Sequence, residues 1–322
     1  YWSMEVTVTN QMTTMLAKLA DPEAPVLELS AQDREKVLEL ARLHRVDNIL
    51  WRKFGSNVDT KEGAHTLTRV GQSMLLDSLR HDIMDGFKEK GVSACIVKGP
   101  VFAQRLYTST SDRLFTDIDL LIDPTDMPKA LLTMSELGYN RPTKTWDNSD
   151  RDMEYKFYHP DHPIVLIELH GNLVHYPLLR RRASFGLRDL LQAGEGDGEA
   201  PNALLATAIV HATLGHKIDH VQMLVDVLQA TRNLPRDDFT NAVEILKKMR
   251  LGLECAVCLS VVGQLFDDDV VNELAAHFIG GIRSKNGRKL ITPDVVVQAQ
   301  GNERHKGSWR RRKTFRMLQY LP

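Results

Sequence analysis

Between Val92 and Ile122 the chain reads VSACIVKGPVFAQRLYTSTSDRLFTDIDLLI, in which two short apolar runs meet charge. The first run stops at Lys98-Gly99, and the second holds Asp117 and Asp119 among Ile118, Leu120, Leu121 and Ile122. Residues two apart on a strand point to the same face, so a strand here projects both carboxylates side by side. Asp-x-Asp is common in solvated turns, but a turn does not surround its acids with four branched aliphatic residues. A strand that buries two adjacent anions needs a compensating cation. Hard oxygen ligands select Mg²⁺ or Mn²⁺, which makes the pair a candidate site for phosphoryl-transfer chemistry.

A third acid follows in the run 164–170, IVLIELH, where Glu168 stands near the end. On a strand beside the first pair, Glu168 completes a three-carboxylate cluster able to hold two metal ions. On a strand elsewhere it is a solvent-facing glutamate.

Taken in order, Lys98-Gly99, Leu106-Tyr107, Arg113, Asp117-Ile118-Asp119-Leu120-Leu121, Gly138-Tyr139 and Ile167-Glu168-Leu169-His170 resemble the uncharacterised nucleotidyltransferase family of the polymerase-β-like nucleotidyltransferase superfamily. The stretch His211-Ala212-Thr213-Leu214-Gly215-His216, followed by Leu224-Val225-Asp226, resembles that family's helical segment, and the likeness runs from Leu38 to Leu228. The resemblance implies transfer of a nucleoside monophosphate, AMP first, from an NTP, ATP first, to an acceptor hydroxyl or other nucleophile with release of pyrophosphate. It makes Asp117, Asp119 and Glu168 the catalytic and metal-binding acids, with two Mg²⁺ or Mn²⁺ ions in the full site.

Superfamily members usually carry Gly-Ser at the start of the helix after the first strand, whereas this chain has Lys98-Gly99-Pro100. Gly99 permits close backbone approach, Pro100 suits the first helical position, and the N–H groups there can face an anion. Lys98 either adds a point charge to the phosphate grip or is a solvated lysine at a strand end. Arg113 sits in a polar loop ahead of Asp117, where it binds a triphosphate oxygen or pairs with Asp112 or a catalytic acid. We read Lys98, Gly99 and Arg113 as the phosphate-binding set.

At 322 residues the chain makes one large or two ordinary domains. A formal net charge of −1 supplies no global basic field that would require nucleic acid. No apolar stretch reaches membrane-spanning length and no signal-peptide pattern opens the chain. Three cysteines do not make a disulfide scaffold, so a cytoplasmic protein without a membrane partner is expected. Tyr1-Trp2-Ser3 ahead of Met4 is set apart from the fold.

Periodicity predicts helices over 31–54 and 64–89, a strand at 94–97, a helix over 101–107, a strand at 117–122 and a helix over 127–137 closed by Gly138. A hairpin of 155–158 and 164–169 follows across 159–163. The fold class expected is α+β: a small mixed nucleotidyltransferase sheet flanked by helices, followed by an all-helical domain. The stretch 192–201, QAGEGDGEAP, is the boundary. Helical patterns then cover 202–231, 237–249, 251–265 and 270–279. The domains expected are therefore N-terminal helices packed on the catalytic core (1–91), the core itself (92–191), and a helical domain with a basic tail (202–322).

His216 and His220 stand four apart on one helical face, but a zinc-protease helix needs glutamate directly after its first histidine and Lys217 is there. His170, His211 and His216 are instead candidates for lining a substrate pocket. Cys255 and Cys258 lie in an apolar helical run with no second pair for zinc, and read as core. In the tail, Arg310-Arg311-Arg312-Lys313 beside Trp309 and Phe315 is either a solvated helix face or a surface for RNA. It keeps nucleic acid open as acceptor, with a small molecule or peptide preferred. A protein AMP-transferase and a catalytically silent nucleotide-binding or interaction module are the alternative readings.

Overall fold

The computed structural model of the chain describes residues 10–55, 60–141, 153–162, 164–298 and 308–321. The opening tripeptide, Pro163 of the hairpin turn and residues 299–307 of the basic tail lie outside the described residues. The fold is α+β, a four-stranded mixed sheet among many helices. Contacts divide it into two units, Thr60–Thr207, and Tyr1–Asp59 with Ala208–Pro322. Helices α1 (Asn10–Ala20), α2 (Ala31–Leu43) and α3 (Asp47–Phe54) therefore group with the C-terminal helices, and α4 (Thr60–Glu89) groups with the sheet.

The sheet unit continues with β1 (Ala94–Val97), α5 (Gly99–Arg105), β2 (Asp117–Ile122), α6 (Met127–Glu136), β3 (Glu154–Tyr158) and β4 (Leu166–His170). Strand order is β1-β2-β4-β3, with β2 and β4 parallel and the outer pairs antiparallel. The first two strands span the apolar runs read from the sequence, and β3 and β4 pair as a hairpin.

Strand alternation gives this sheet two unlike faces. On one face, Ile118, Leu120 and Ile122 of β2, Phe157 of β3, and Ile167 and Leu169 of β4 form a core. Leu76, Ile83 and Phe87 of α4 and Met127, Ala130 and Met134 of α6 cover them. Each large apolar side chain buried there contributes roughly 1.5–3 kcal/mol. Ser73 ties α4 to the entry of β2, its Oγ accepting from Phe115 N–H at 3.1 Å and donating to Phe115 O at 3.0 Å. The alternate residues, Asp117 and Asp119, Glu168 and His170, Glu154 and Lys156, carry the opposite face.

In the other unit the helix expected over 31–54 is two helices, because Arg45 takes φ 60° and the chain turns between His44 and Val46. The pattern over 202–231, whose first residues up to Thr207 belong to the sheet unit, is likewise interrupted. Pro201–Val210 leads into a π-helical turn, His211–Gly215, and a new helix, Val221–Arg232, starts after Lys217 and Ile218, both at φ 58°. Helices Phe239–Lys248, Gly252–Phe266 and Asp269–Ala276 stand where periodicity puts them. Cys255 and Cys258 are fully buried core residues, and burial raises both thiol pKa values, that of Cys258 to about 12.

Two polar ties explain why the N-terminal helices belong here. The Arg232 guanidinium binds Asp21 through both terminal nitrogens, at 2.8 and 3.0 Å, and Asp268 through Nε at 2.8 Å. His44 Nε2 donates to Val297 O at 2.9 Å while its Nδ1 accepts from Val221 N–H at 3.2 Å.

The last stretch of the basic tail is a packed helix, Ser308–Tyr320. Phe315 and Gln319 are fully buried and Arg312 and Arg316 nearly so. Arg316 donates to Leu214 O at 3.1 Å, Arg312 donates to Lys217 O at 3.1 Å and pairs with Asp219, and Arg311 reaches Lys289 O. Lys313 stacks over the Trp309 ring. The basic run therefore binds its own chain to a large extent.

Candidate active site

The charged face of the sheet places the three expected carboxylates together. Asp117 and Asp119 are two apart on β2, and Asp119 is the register partner of Glu168 across the parallel β2–β4 pair. The turn from β1 into α5 then delivers a cation. Lys98 Nζ donates to Asp119 Oδ1 at 2.8 Å, with both side chains almost wholly buried.

The backbone at Lys98 has φ 58° and ψ −142°, a region that L-residues avoid and glycine tolerates. Gly99 follows at φ 29°. The backbone thus keeps a glycine-type bend while a lysine occupies it. Strain of this kind costs about 1–3 kcal/mol and persists where the surroundings hold it in place. The solvated lysine considered from the sequence is not what forms.

His170, two residues beyond Glu168 and fully buried, donates from Nε2 to Asp119 Oδ1 at 2.8 Å and lies 3.5 Å from Glu168 Oε2. Glu168 Oε1 accepts from Lys156 Nζ at 2.7 Å, and Lys156 also holds Glu154 Oε1 at 2.9 Å. His175 Nδ1 comes within 3.0 Å of Glu154 Oε2. Polar contacts thus run along the face from Lys98 through Asp119, His170, Glu168, Lys156 and Glu154 to His175.

Electrostatics separate the two aspartates. Burial and then the neighbouring Asp119 push the Asp117 carboxyl up to about 6, against weaker opposition from Lys98. Burial also acts upward on Asp119, but Lys98 and the His170 hydrogen bond overcome it and hold that carboxyl far below its usual range. Burial lowers His170, and its bonds to Asp119 and Glu168 reverse this, to about 9. Glu168 is desolvated, yet His170 and Lys156 bring its pKa below the ordinary value. One carboxylate is therefore locked as an anion while its neighbour is poised near neutrality.

The oxygen donors of this face, Asp119 and Glu168 with Asp117 beside them on β2, suit a hard divalent ion; burial first and then the neighbouring Asp119 raise Asp117. Donor atoms of Asp119, Glu168 and His170, and separately of Glu154, His170 and His175, lie within 4.8 Å of one another.

A family model described as uncharacterised nucleotidyltransferase matches residues 30–267. The chain belongs to this nucleotidyltransferase family. No match to it is found among curated proteins or solved structures. The nucleotidyltransferase accordingly takes an NTP as substrate, and no helix among its described residues is long and apolar enough to cross a membrane.

Of the expected site residues, Lys98, Asp117, Asp119, Glu168 and His170 meet on one face. Arg113 is buried, donates to Leu114 O at 2.8 Å, and is close enough to depress the Asp117 pKa. His211 and His216 belong to the other unit, where their rings pack edge to face at 4.7 Å. Glu154, Lys156 and His175 were not singled out from the sequence. The alternation Glu154-x-Lys156 in a hairpin strand was the available signal for two of them.

Proposed function

We propose that this nucleotidyltransferase transfers a nucleoside monophosphate, AMP first, from its NTP to an acceptor hydroxyl or other nucleophile, with pyrophosphate leaving. The observation that carries this reading is the register of Asp119 with Glu168, which sets three carboxylates on one sheet face beside a buried lysine. Asp117, Asp119 and Glu168 would hold Mg²⁺ or Mn²⁺, two ions in the full site, whose charge offsets that building on the triphosphate and the departing pyrophosphate.

The chain's own residues do the rest. Lys98 exchanges Asp119 Oδ1 for a phosphate oxygen and, with Arg113 and the Gly99 backbone, positions the triphosphate. His170 fixes the Asp119 carboxylate from behind. Glu168, with Lys156 on Oε1 and His170 near Oε2, is better placed as an anionic ligand than as acceptor of the incoming nucleophile's proton.

A small molecule or peptide is the favoured acceptor. Arg311, Arg312 and Arg316 bind their own chain, which weakens the tail as a nucleic-acid surface. The test supplies Mg²⁺ and each NTP labelled at the α-phosphate, then follows label into the protein itself, cell protein, RNA and small molecules. Label on protein selects the AMP-transferase reading. No transfer from any NTP, with Asp117→Ala indistinguishable from wild type, overturns the proposal in favour of a silent nucleotide-binding module.

A further inference from the structure

The outer end of the charged face carries a second donor set of different chemistry. Glu154 lies on β3, His170 on β4 in register with it, and His175 in the loop that follows. A donor atom of each lies within 4.8 Å of the other two. The rings of His170 and His175 meet edge to face with centroids 5.3 Å apart. Two imidazoles and a carboxylate form a set that Mg²⁺ does not favour and Zn²⁺ does.

A second observation is independent of this spacing. His170 is fully buried, and its Nδ1 has no hydrogen-bond partner. A buried polar atom left this way has lost its water without a replacement partner. The other nitrogen, Nε2, donates to the Asp119 carboxylate at 2.8 Å. A metal-binding histidine characteristically directs its second N–H at a carboxylate and turns its other nitrogen to the ion, which displaces the proton held there. His170 is already oriented in that way.

The other two ligands are held as well. Lys156 takes Glu154 Oε1 and leaves Oε2 toward His175 Nδ1, 3.0 Å away. Two ligands on zinc at 2.0–2.1 Å in a tetrahedron stand about 3.4 Å apart, so the pair needs to open by only a few tenths of an ångström. Arg180 locks the backbone at His175, donating to Val174 O at 3.0 Å and to His175 O at 2.8 Å. The His175 side chain is 25% exposed, which gives an ion a way in.

We propose that Glu154, His170 through Nδ1, and His175 bind one Zn²⁺, or a cation of the same borderline class, at a site distinct from the Asp117–Asp119–Glu168 carboxylates. Three protein ligands leave a fourth position to water or substrate. The ion braces the His170 ring, and through it the orientation of Asp119.

Metal-free full-length protein titrated with Zn²⁺ against a chromophoric chelator, in excess Mg²⁺, tests this without reference to transfer activity. The expected result is one Zn²⁺ per chain, bound at least tenfold more weakly by His175→Ala and by Glu154→Gln and unchanged in Asp117→Asn. Absence of binding, or affinity lost in Asp117→Asn but kept in His175→Ala, overturns the proposal. Should the site variants fail to fold, X-ray absorption at the zinc edge of the wild-type protein decides the matter. Two imidazole ligands support the site, and an oxygen-only shell refutes it.

Discussion

Lys98 Nζ and Asp119 Oδ1 form a buried ion pair 2.8 Å long, joining a strained turn to the middle of the sheet. The pair makes the two neighbouring aspartates unequal. Removing Asp119 leaves the Lys98 ammonium and the His170 imidazole buried without their shared partner, which costs about 3–5 kcal/mol. Removing Asp117 relieves a like-charge contact. Both Asp117→Ala and Asp119→Ala are expected to lower transfer by about 100-fold or more. Thermal melts separate them, with Asp117→Ala at or above the wild-type midpoint and Asp119→Ala well below it. Equal midpoints would show that the ion pair contributes nothing to the fold.

The backbone at Lys98 can be tested by itself. Lys98→Ala and Lys98→Gly both lose the ammonium, but only glycine relaxes φ 58°, ψ −142°. The glycine variant should be more stable than the alanine variant by about 1–3 kcal/mol in denaturant unfolding. Both should bind NTP about ten- to a hundredfold more weakly, the loss of one charge-assisted bond. Unchanged NTP affinity in calorimetry would remove Lys98 from the phosphate-binding set.

His44 gives the fold a defined acid sensitivity. A backbone N–H donates to Nδ1 and a backbone carbonyl accepts from Nε2, so the neutral ring with its proton on Nε2 is the native form. Burial holds its pKa at about 3, against 6.5 in the unfolded chain. Between those values the unfolded state binds the extra proton, so this stability is complete above pH 6.5 and lost as pH falls toward 3. The slope is about 1.4 kcal/mol per pH unit, or about 2 kcal/mol by pH 5. Unfolding curves at pH 7 and pH 5 measure it, and His44→Gln should flatten the dependence. His220, held down at about 4 mainly by burial, adds in the same direction.

The arginines of the last helix are expected to act on stability. Arg316→Ala leaves the Leu214 carbonyl without that donor, and Arg312→Ala does the same at Lys217; each should cost about 1–3 kcal/mol. Exposed Arg310→Ala should change little. RNA binding that weakens steeply with salt in wild type and disappears in an Arg310→Ala/Lys313→Ala variant would contradict this assignment.

How far the sequence speaks depends on whether local pattern or distant contact makes each feature. Strands β1 and β2 end where their apolar runs end, and Asp117 and Asp119 were bound to share a face once β2 was a strand. The role of Lys98 was harder to read, because its partner Asp119 lies 21 residues away and the glycine-type bend leaves no trace in a lysine. The helix breaks at Arg45 and at Lys217-Ile218 occur within unbroken periodicity. Tertiary bonds make them, those of His44 to Val221 and Val297 among them. The meeting of Glu154 and His175 with His170 was hidden for a similar reason, since only the β3–β4 register and the Arg180-held loop bring them together.

The two-faced sheet also acts as an error check on its own assembly. Because side chains alternate, a slip of one residue in the β2–β4 pairing would turn Asp119 or Glu168 into the apolar layer, and lift Ile118 and Leu120, or Ile167 and Leu169, into the charge row. A misregistered strand would bury bare carboxylates under α4 and α6, so the penalty for misfolding is set by the same residues that form the reactive cluster. Replacing those acids with apolar residues would do more than silence the chemistry. It would remove the signal that tells the central strands which way up they belong.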